Sequence, residues 1–252
     1  SDSIFVKHLV LLPSFNSGRR LAETLRQTCA IWRDVWVVVD GSTDGSDVEA
    51  EALGLQGLRV IRLAKNSGKG AAVLHALRLA HKEGFTHALV MDADGQHPAE
   101  MIIPFIEVSE KTPEAFVCGV PQFGADAPAE RVKGRRVGNF FSHLETLWCG
   151  AQDSLFGFRL YPSPQPYEYS PAAGPDGFDF DTVLAVRLTW AGLRCINIPA
   201  AVRYPPTSEG GVTHFRYLRD NLLLIRAHTR LLLEWPFHLP KLLQMRHTNP
   251  MR

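Results

Sequence analysis

Four short apolar runs organise the first hundred residues, and each stops at polar or turn-forming residues. They are residues 6–12 before Pro13, 35–39 before Asp40-Gly41, 58–63 just before Lys65-Asn66, and 88–91 before Asp92. Helix-patterned stretches lie between them; in residues 70–81, Val73, Leu74, Leu77 and Ala80 share one helical face. Strands alternating with helices predict an α/β fold, a twisted and mostly parallel sheet joined by right-handed crossovers and flanked by helices. Open sheets of this kind bind ligands outside the carboxyl ends of their strands. Residues 115–118 predict a fifth strand.

The second half changes character. Residues 131–148 predict a long helix with a basic start, and residues 180–190 another, closed by Gly192. Between them, residues 163–177 carry Pro164, Pro166, Pro171 and Pro175 with Tyr167 and Tyr169, which predicts a long loop of the kind that is functional or disordered. Residues 194–198 predict a strand. Residues 214–233 predict an amphipathic helix with Arg216, Arg219, Arg226 and Arg230 among many leucines. The expected domain runs over residues 1–235, with 236–252 as a C-terminal tail.

Composition narrows the class. The 252 residues are 45% hydrophobic, enough for one large α/β core, and the net charge of +1 gives no footprint for nonspecific nucleic-acid binding. Cys29, Cys118, Cys149 and Cys195 are scattered with no CxxC spacing, so they read as thiols of a reducing compartment. No leader peptide is expected, and no apolar run is long enough to span a bilayer. A cytoplasmic protein is the expectation.

Three motifs carry chemistry. In Asp92-Ala93-Asp94 the two carboxylates point the same way if the segment is extended, and like charges so placed favour a cation between them. Gln96 adds an oxygen, and hard oxygen donors suit Mg²⁺ or Mn²⁺. The alternative is a turn that caps the helix expected near Pro98. Asp40-Gly41-Ser42-Thr43-Asp44-Gly45 offers a strand-end acid and a glycine turn for a base or ribose; alternatively it is a strand–turn–helix junction capped by Ser46 or Asp47. Lys65-Asn66-Ser67-Gly68-Lys69-Gly70 lacks the Ser or Thr that a P-loop needs after its lysine. Lys69 at a helix start still suits an anion, or it is a solvated turn.

In this order the motifs resemble the GT-A glycosyltransferases of family 2. Leu11-Leu12-Pro13-Ser14-Phe15-Asn16 is similar to that family's first-strand motif, the Asp40 turn to its nucleotide-binding turn, and the Lys69 loop to the loop ahead of its third helix. Asp92-Ala93-Asp94-Gly95-Gln96-His97-Pro98 is similar to its metal motif, in the form found in dolichyl- and polyprenyl-phosphate sugar transferases. The resemblance covers roughly residues 6–235. It implies a metal-dependent inverting transferase that uses a UDP- or GDP-linked sugar. Pro13, Phe15, Asn16, Asp40, Ser42 and Lys69 would line the nucleotide. Asp92 would contact ribose or metal, and Asp94 and Gln96 the metal. Two departures stand near the expected nucleobase: Val39 where the family usually has an acid, and Ser17 where it usually has Glu.

Arg135-Arg136-Val137-Gly138-Asn139 and Asp153-Ser154-Leu155-Phe156-Gly157-Phe158-Arg159 are similar to the polyprenyl-phosphate branch. There Arg135, Arg136 and Arg159 would face phosphates, and Asp153 is a candidate catalytic acid. Alternatively Arg135 and Arg136 lie on a wet helix face, and Asp153 and Arg159 form a structural ion pair. Asp179 and Asp181 flank Phe180 where the family carries its acceptor-side acid, so one is a candidate general base and the other a helix cap. The segment from Gly210 to Asn221 resembles family 2 transferases of bacterial aryl-polyene pigment clusters, which places His214 at the metal or diphosphate, or leaves it bonded locally.

The implied acceptor is lipid-like, a polyprenyl phosphate or an aryl group. The final helix would lie on an anionic membrane, making the protein peripheral on the inner face, or else pack in the core. Two rivals are a nucleotidyltransferase and a non-catalytic nucleotide-sugar-binding module. The first needs a basic Gly-rich loop where Pro13-Ser14-Phe15-Asn16 stands; the second usually loses the paired acids kept here.

Overall fold

A computed structural model describes residues 6–123, 129–163, 166, 168, 177, 179–203 and 217–248. Its centre is a seven-stranded sheet of β1 (His8–Ser14), β2 (Val35–Asp40), β3 (Leu58–Leu63), β4 (His87–Val90), β5 (Phe116–Gln122), β6 (Arg159–Pro162) and β7 (Cys195–Ala201). The spatial order is β3-β2-β1-β4-β6-β5-β7. All neighbours run parallel except β6, which is antiparallel to both β4 and β5.

The helices are α1 (Gly18–Ile31), α2 (Ser46–Ala52), α3 (Lys69–Lys82), α4 (Ile102–Lys111), α5 (Ala129–Glu145), α6 (Phe180–Trp190), α7 (Tyr217–Glu234) and α8 (Leu239–Thr248). They cover both faces of the sheet, which is why the strands read as unbroken apolar runs. Period-two alternation divides β1 between two cores. Leu9 and Leu11 pack with Val73 and Leu77 of α3 and Leu184 and Leu188 of α6. Val10 and Leu12 pack with Leu21 and Leu25 of α1 and Ile102 and Phe105 of α4.

Three details depart from the sequence reading. β6 was not expected; it is four residues long and begins with an arginine. α5 stops at Glu145, short of residue 148, because Leu147 and Trp148 take left-handed backbone angles (φ 48° and 62°) and turn the chain away. Residues 236–248, expected as a tail, hold a 3-10 turn over Trp235–His238 and then α8. Pro236 sits in the first positions of that turn, where a missing N–H costs nothing. Leu242 of α8 is buried with Val186, Trp190 and Leu231, and His238 stacks on Trp190 at 4.2 Å.

Candidate active site

The loops after β1, β2 and β3 are laced together at the carboxyl rim. Ser42 Oγ accepts from the Asn16 N–H at 2.9 Å, and Asn16 Oδ1 accepts from the Thr43 N–H at 2.8 Å. Asp44 accepts from the Gly18 N–H at 2.9 Å. Gly41 has φ +65° and leaves no room for a Cβ against the backbone of Lys65 and Asn66. Asp40, expected at the nucleobase, is 3% exposed, and its two oxygens accept from the N–H groups of Ser67 and Gly68, each at 2.8 Å. Burial raises its pKa against the pull of those two bonds. In this arrangement Asp40 pins the loop ahead of α3. Pro13 and Phe15 are half-buried beside it.

That pinned loop delivers Lys69, the first residue of α3, to the centre of the rim. Its Nζ lies 2.8 Å from Asp92 Oδ1 and 2.7 Å from Asp181 Oδ2. Burial opposes the charge on Lys69, but Asp181 and Asp92 outweigh it and raise its pKa. Burial likewise opposes ionisation of Asp92, yet the Lys69 ammonium, with Arg159 behind it, holds its carboxyl down to about 2. Gly157 backs this cluster. A Cβ there would stand 2.7 Å from Lys69 Nζ and 3.0 Å from Asp92 Oδ2.

Asp94 follows two residues after Asp92. Its Oδ1 accepts from the Gln96 N–H at 2.9 Å, and burial and then the Asp92 charge raise its pKa. The two carboxylates repel one another, and a dication between them would relieve that repulsion; hard oxygen donors of this kind would suit Mg²⁺ or Mn²⁺. Among the described residues no group of three His, Cys, Asp or Glu side chains is arranged to hold a metal. His214 lies outside the described residues.

His97 lies within the same motif, and the sequence alone assigns it no role. It is 5% exposed, edge-on to Phe156 and Phe158 at 4.8 and 5.1 Å. Its Nδ1 accepts from the Asp92 N–H at 3.0 Å, which leaves the neutral ring's proton on Nε2, 3.9 Å from Asp92 Oδ2. Burial lowers its pKa and keeps the ring neutral. His97 therefore anchors the loop that follows β4. Its signal in the sequence was an imidazole set close behind two acids.

Arg159, expected at a phosphate, is instead wholly buried. Its guanidinium donates to the carbonyls of Phe156 at 2.9 Å, Ser154 at 2.7 Å and Asp153 at 3.2 Å, and to that of Asp181. It thus ties the 153–158 segment to the start of α6. Asp153 pairs with Arg135, whose Nε and Nη2 lie 2.9 and 2.8 Å from its two oxygens. Burial opposes ionisation of Asp153, but Arg135 lowers its pKa overall. The ion pair at Asp153 is real, with Arg135 rather than Arg159 as the partner. Arg136 is exposed.

Asp179 stands at the N-cap of α6 but makes no capping bond with its side chain, and burial raises its pKa. Asp181, in the first turn, is committed to Lys69. Neither acid caps the helix by its side chain, contrary to the expected division of labour between them.

A cleft of about 410 Å³ opens at the end of β5. Phe123, His143, Trp148, Asn139, Gln152 and Asp153 are among its walls. The structure therefore gathers Lys69, Asp92, Asp94, Asp181 and Gly157 into one site. Arg135, Asp153 and Asn139 lie in a second cluster beside this cleft.

Residues 9–163 match glycosyl transferase family 2. The chain belongs to that family. This glycosyltransferase is 25% identical over 201 residues to the polyprenol monophosphomannose synthase of Mycolicibacterium smegmatis, covering 76% of this chain and 75% of that one. Its fold is similar to a mycobacterial protein (TM-score 0.60, 16% identity, 82% of this chain and 70% of that one). It is also similar to S. aureus TarS 1–349 in complex with UDP-GlcNAc (TM-score 0.54, 17% identity, 91% and 67%). The fold of the glycosyltransferase is thereby GT-A.

Proposed function

We propose that this glycosyltransferase moves a sugar from a UDP- or GDP-linked donor to a lipid-like, polyprenyl-phosphate or aryl acceptor, with inversion at the anomeric carbon. The observation that carries the reading is the cluster of Lys69, Asp92 and Asp181, with Asp94 beside it, at the rim beyond β4. The polyprenol-linked activity named for the mycobacterial relative and the UDP-GlcNAc of the TarS complex support the choice of donor and acceptor classes.

Asp92, Asp94 and Gln96 would hold Mg²⁺ or Mn²⁺, which supplies positive charge to a departing diphosphate. Lys69 adds a fixed cation at the same place, at the positive end of α3. The laced loops of Asn16, Ser42 and Asp40 give the nucleoside a rigid wall. The acceptor would lie in the cleft at the end of β5. That strand is two places from β4, roughly 10 Å away at ordinary strand spacing. Asp179, with its raised pKa, is the better base for a hydroxyl acceptor. A phosphate acceptor arrives ionised and needs none.

The test is a thermal-shift panel of UDP, GDP, CDP and TDP with and without Mn²⁺, on the wild type and on Asp94→Ala. One nucleotide should raise the Tm of the wild type only when Mn²⁺ is present, and the variant should lose that gain along with turnover. Equal gains in both proteins would remove Asp94 and the metal from the reading.

A further inference from the structure

Helix α7 is apolar on two opposite faces. Ala227, His228 and Leu231 are buried against the domain. On the other side Leu222, Ile225 and Leu233 are 65%, 62% and 73% exposed. Spacings of three and four residues place them with Thr229 on a single outward stripe. Phe237, in the turn that follows, is 84% exposed and extends the apolar surface. A helix resting on a domain normally turns a polar side to water, so this face is shaped for another medium.

Charge says which medium. Arg226 and Arg230 are exposed along the same stripe. Arg230 makes only a surface pair with Glu234, at 3.1 Å, which screens little of its charge. Among the described side chains of α7 the one carboxylate is that of Glu234, partly exposed at the end of the helix and held by both Arg187 and Arg230. α5 packs alongside, fixed by the buried Glu145–His228 pair at 2.9 Å, and exposes Val137 and Phe140 next to Arg136. Apolar side chains bordered by arginines match the acyl boundary and headgroups of an anionic leaflet. Among the described residues no helix is long and apolar enough to cross a membrane, so the contact is one of lying on it.

We propose that the outer stripe of α7 docks on an anionic lipid surface, with Leu222, Ile225, Leu233 and Phe237 in the acyl boundary and Arg226 and Arg230 at the headgroups. The contact deepens the proposed function by naming where a lipid-borne acceptor is met. It rests on that reading only for the acceptor, and not for the binding itself.

Co-sedimentation of the full chain with phosphatidylcholine vesicles, with and without phosphatidylglycerol, tests it. Binding should require the anionic lipid and weaken with salt. Arg230→Gln should lower affinity about fivefold. Leu222→Ser, Ile225→Ser and Leu233→Ser should each lower it roughly tenfold. The nucleotide-dependent Tm shift should be unchanged in all of these variants, which separates a failed docking surface from a failed donor site. No binding at low salt, or full binding by the combined serine variant, overturns the proposal. So does a wild-type dimer that the serine changes split into monomers while vesicle binding is unaffected.

Discussion

The Lys69 ammonium lies 2.8 Å from Asp92 Oδ1, so the first acid of the Asp92-Ala93-Asp94 motif already holds a protein cation. Asp181 shares that cation at 2.7 Å. Lys69→Met leaves two carboxylates facing each other without a counter-charge. Removing one member of a fully buried pair costs about 3–5 kcal/mol, and the partial exposure of Lys69 and Asp92 brings the expected loss below that. Urea unfolding should show the loss, and Mn²⁺ should restore part of it by replacing the charge. A variant as stable as wild type would show that the three groups are not coupled.

Gly157 lets the ends of Lys69 and Asp92 close over it, and any Cβ there would have to push them aside. In Gly157→Ala the new methyl meets Lys69 Nζ at 2.7 Å and Asp181 Oδ2 at 3.3 Å. Overpacking of this kind costs about 1–3 kcal/mol. Turnover should fall with it, while Asp40 and its loop stay in place. A crystal structure of the variant with the Lys69 contacts intact would contradict the account.

The two acids around Phe180 should separate in kinetics. Asp181→Asn loses the Lys69 pair and should slow the enzyme with every acceptor. Asp179→Asn should slow only transfer to a hydroxyl, by about 10²–10⁴-fold in kcat, and flatten the acid limb of the pH profile. Equal defects with hydroxyl and phosphate acceptors would take Asp179 out of the role of base.

Away from the site, His8 gives a pH dependence of stability. Burial, and then neighbouring His87, lower its pKa to about 4. Between that value and the ordinary 6.5 the unfolded chain binds a proton that the folded chain refuses, so stability is lost as pH falls through this window. The full loss is roughly 2–4 kcal/mol at its acid end. His8→Gln keeps a partner for Ser109 Oγ, now 3.0 Å from His8 Nε2, and removes the titration. Its Tm should vary less between pH 6.5 and 4; an unchanged slope would assign the effect to other groups.

The parallel half of the sheet was legible because β1, β2 and β4 are buried on both faces and so read as unbroken apolar runs ending at polar turns. The paired acids and Lys69 were legible for the same reason: strand ends are where an open sheet presents chemistry. What stayed hidden depends on partners distant in sequence. Asp40 bonds N–H groups 27 and 28 residues away, and nothing near Asp40 announces that. Arg159 reads as a phosphate contact or as the ion-pair partner of Asp153 until its carbonyl partners are folded around it. Pro236 reads as a terminus, although proline is equally at home in the opening turn of the next helix.

Strand β6 runs against its neighbours, with Arg159 opposite Val90 at the end of β4. It therefore brings its leading end, not its trailing end, to the catalytic edge. The residues just before it enter the site from the opposite direction to the loops that follow β1, β2, β3 and β4. That approach sets Gly157 against Lys69 and Asp92, so an exchange there is felt directly by the charged cluster.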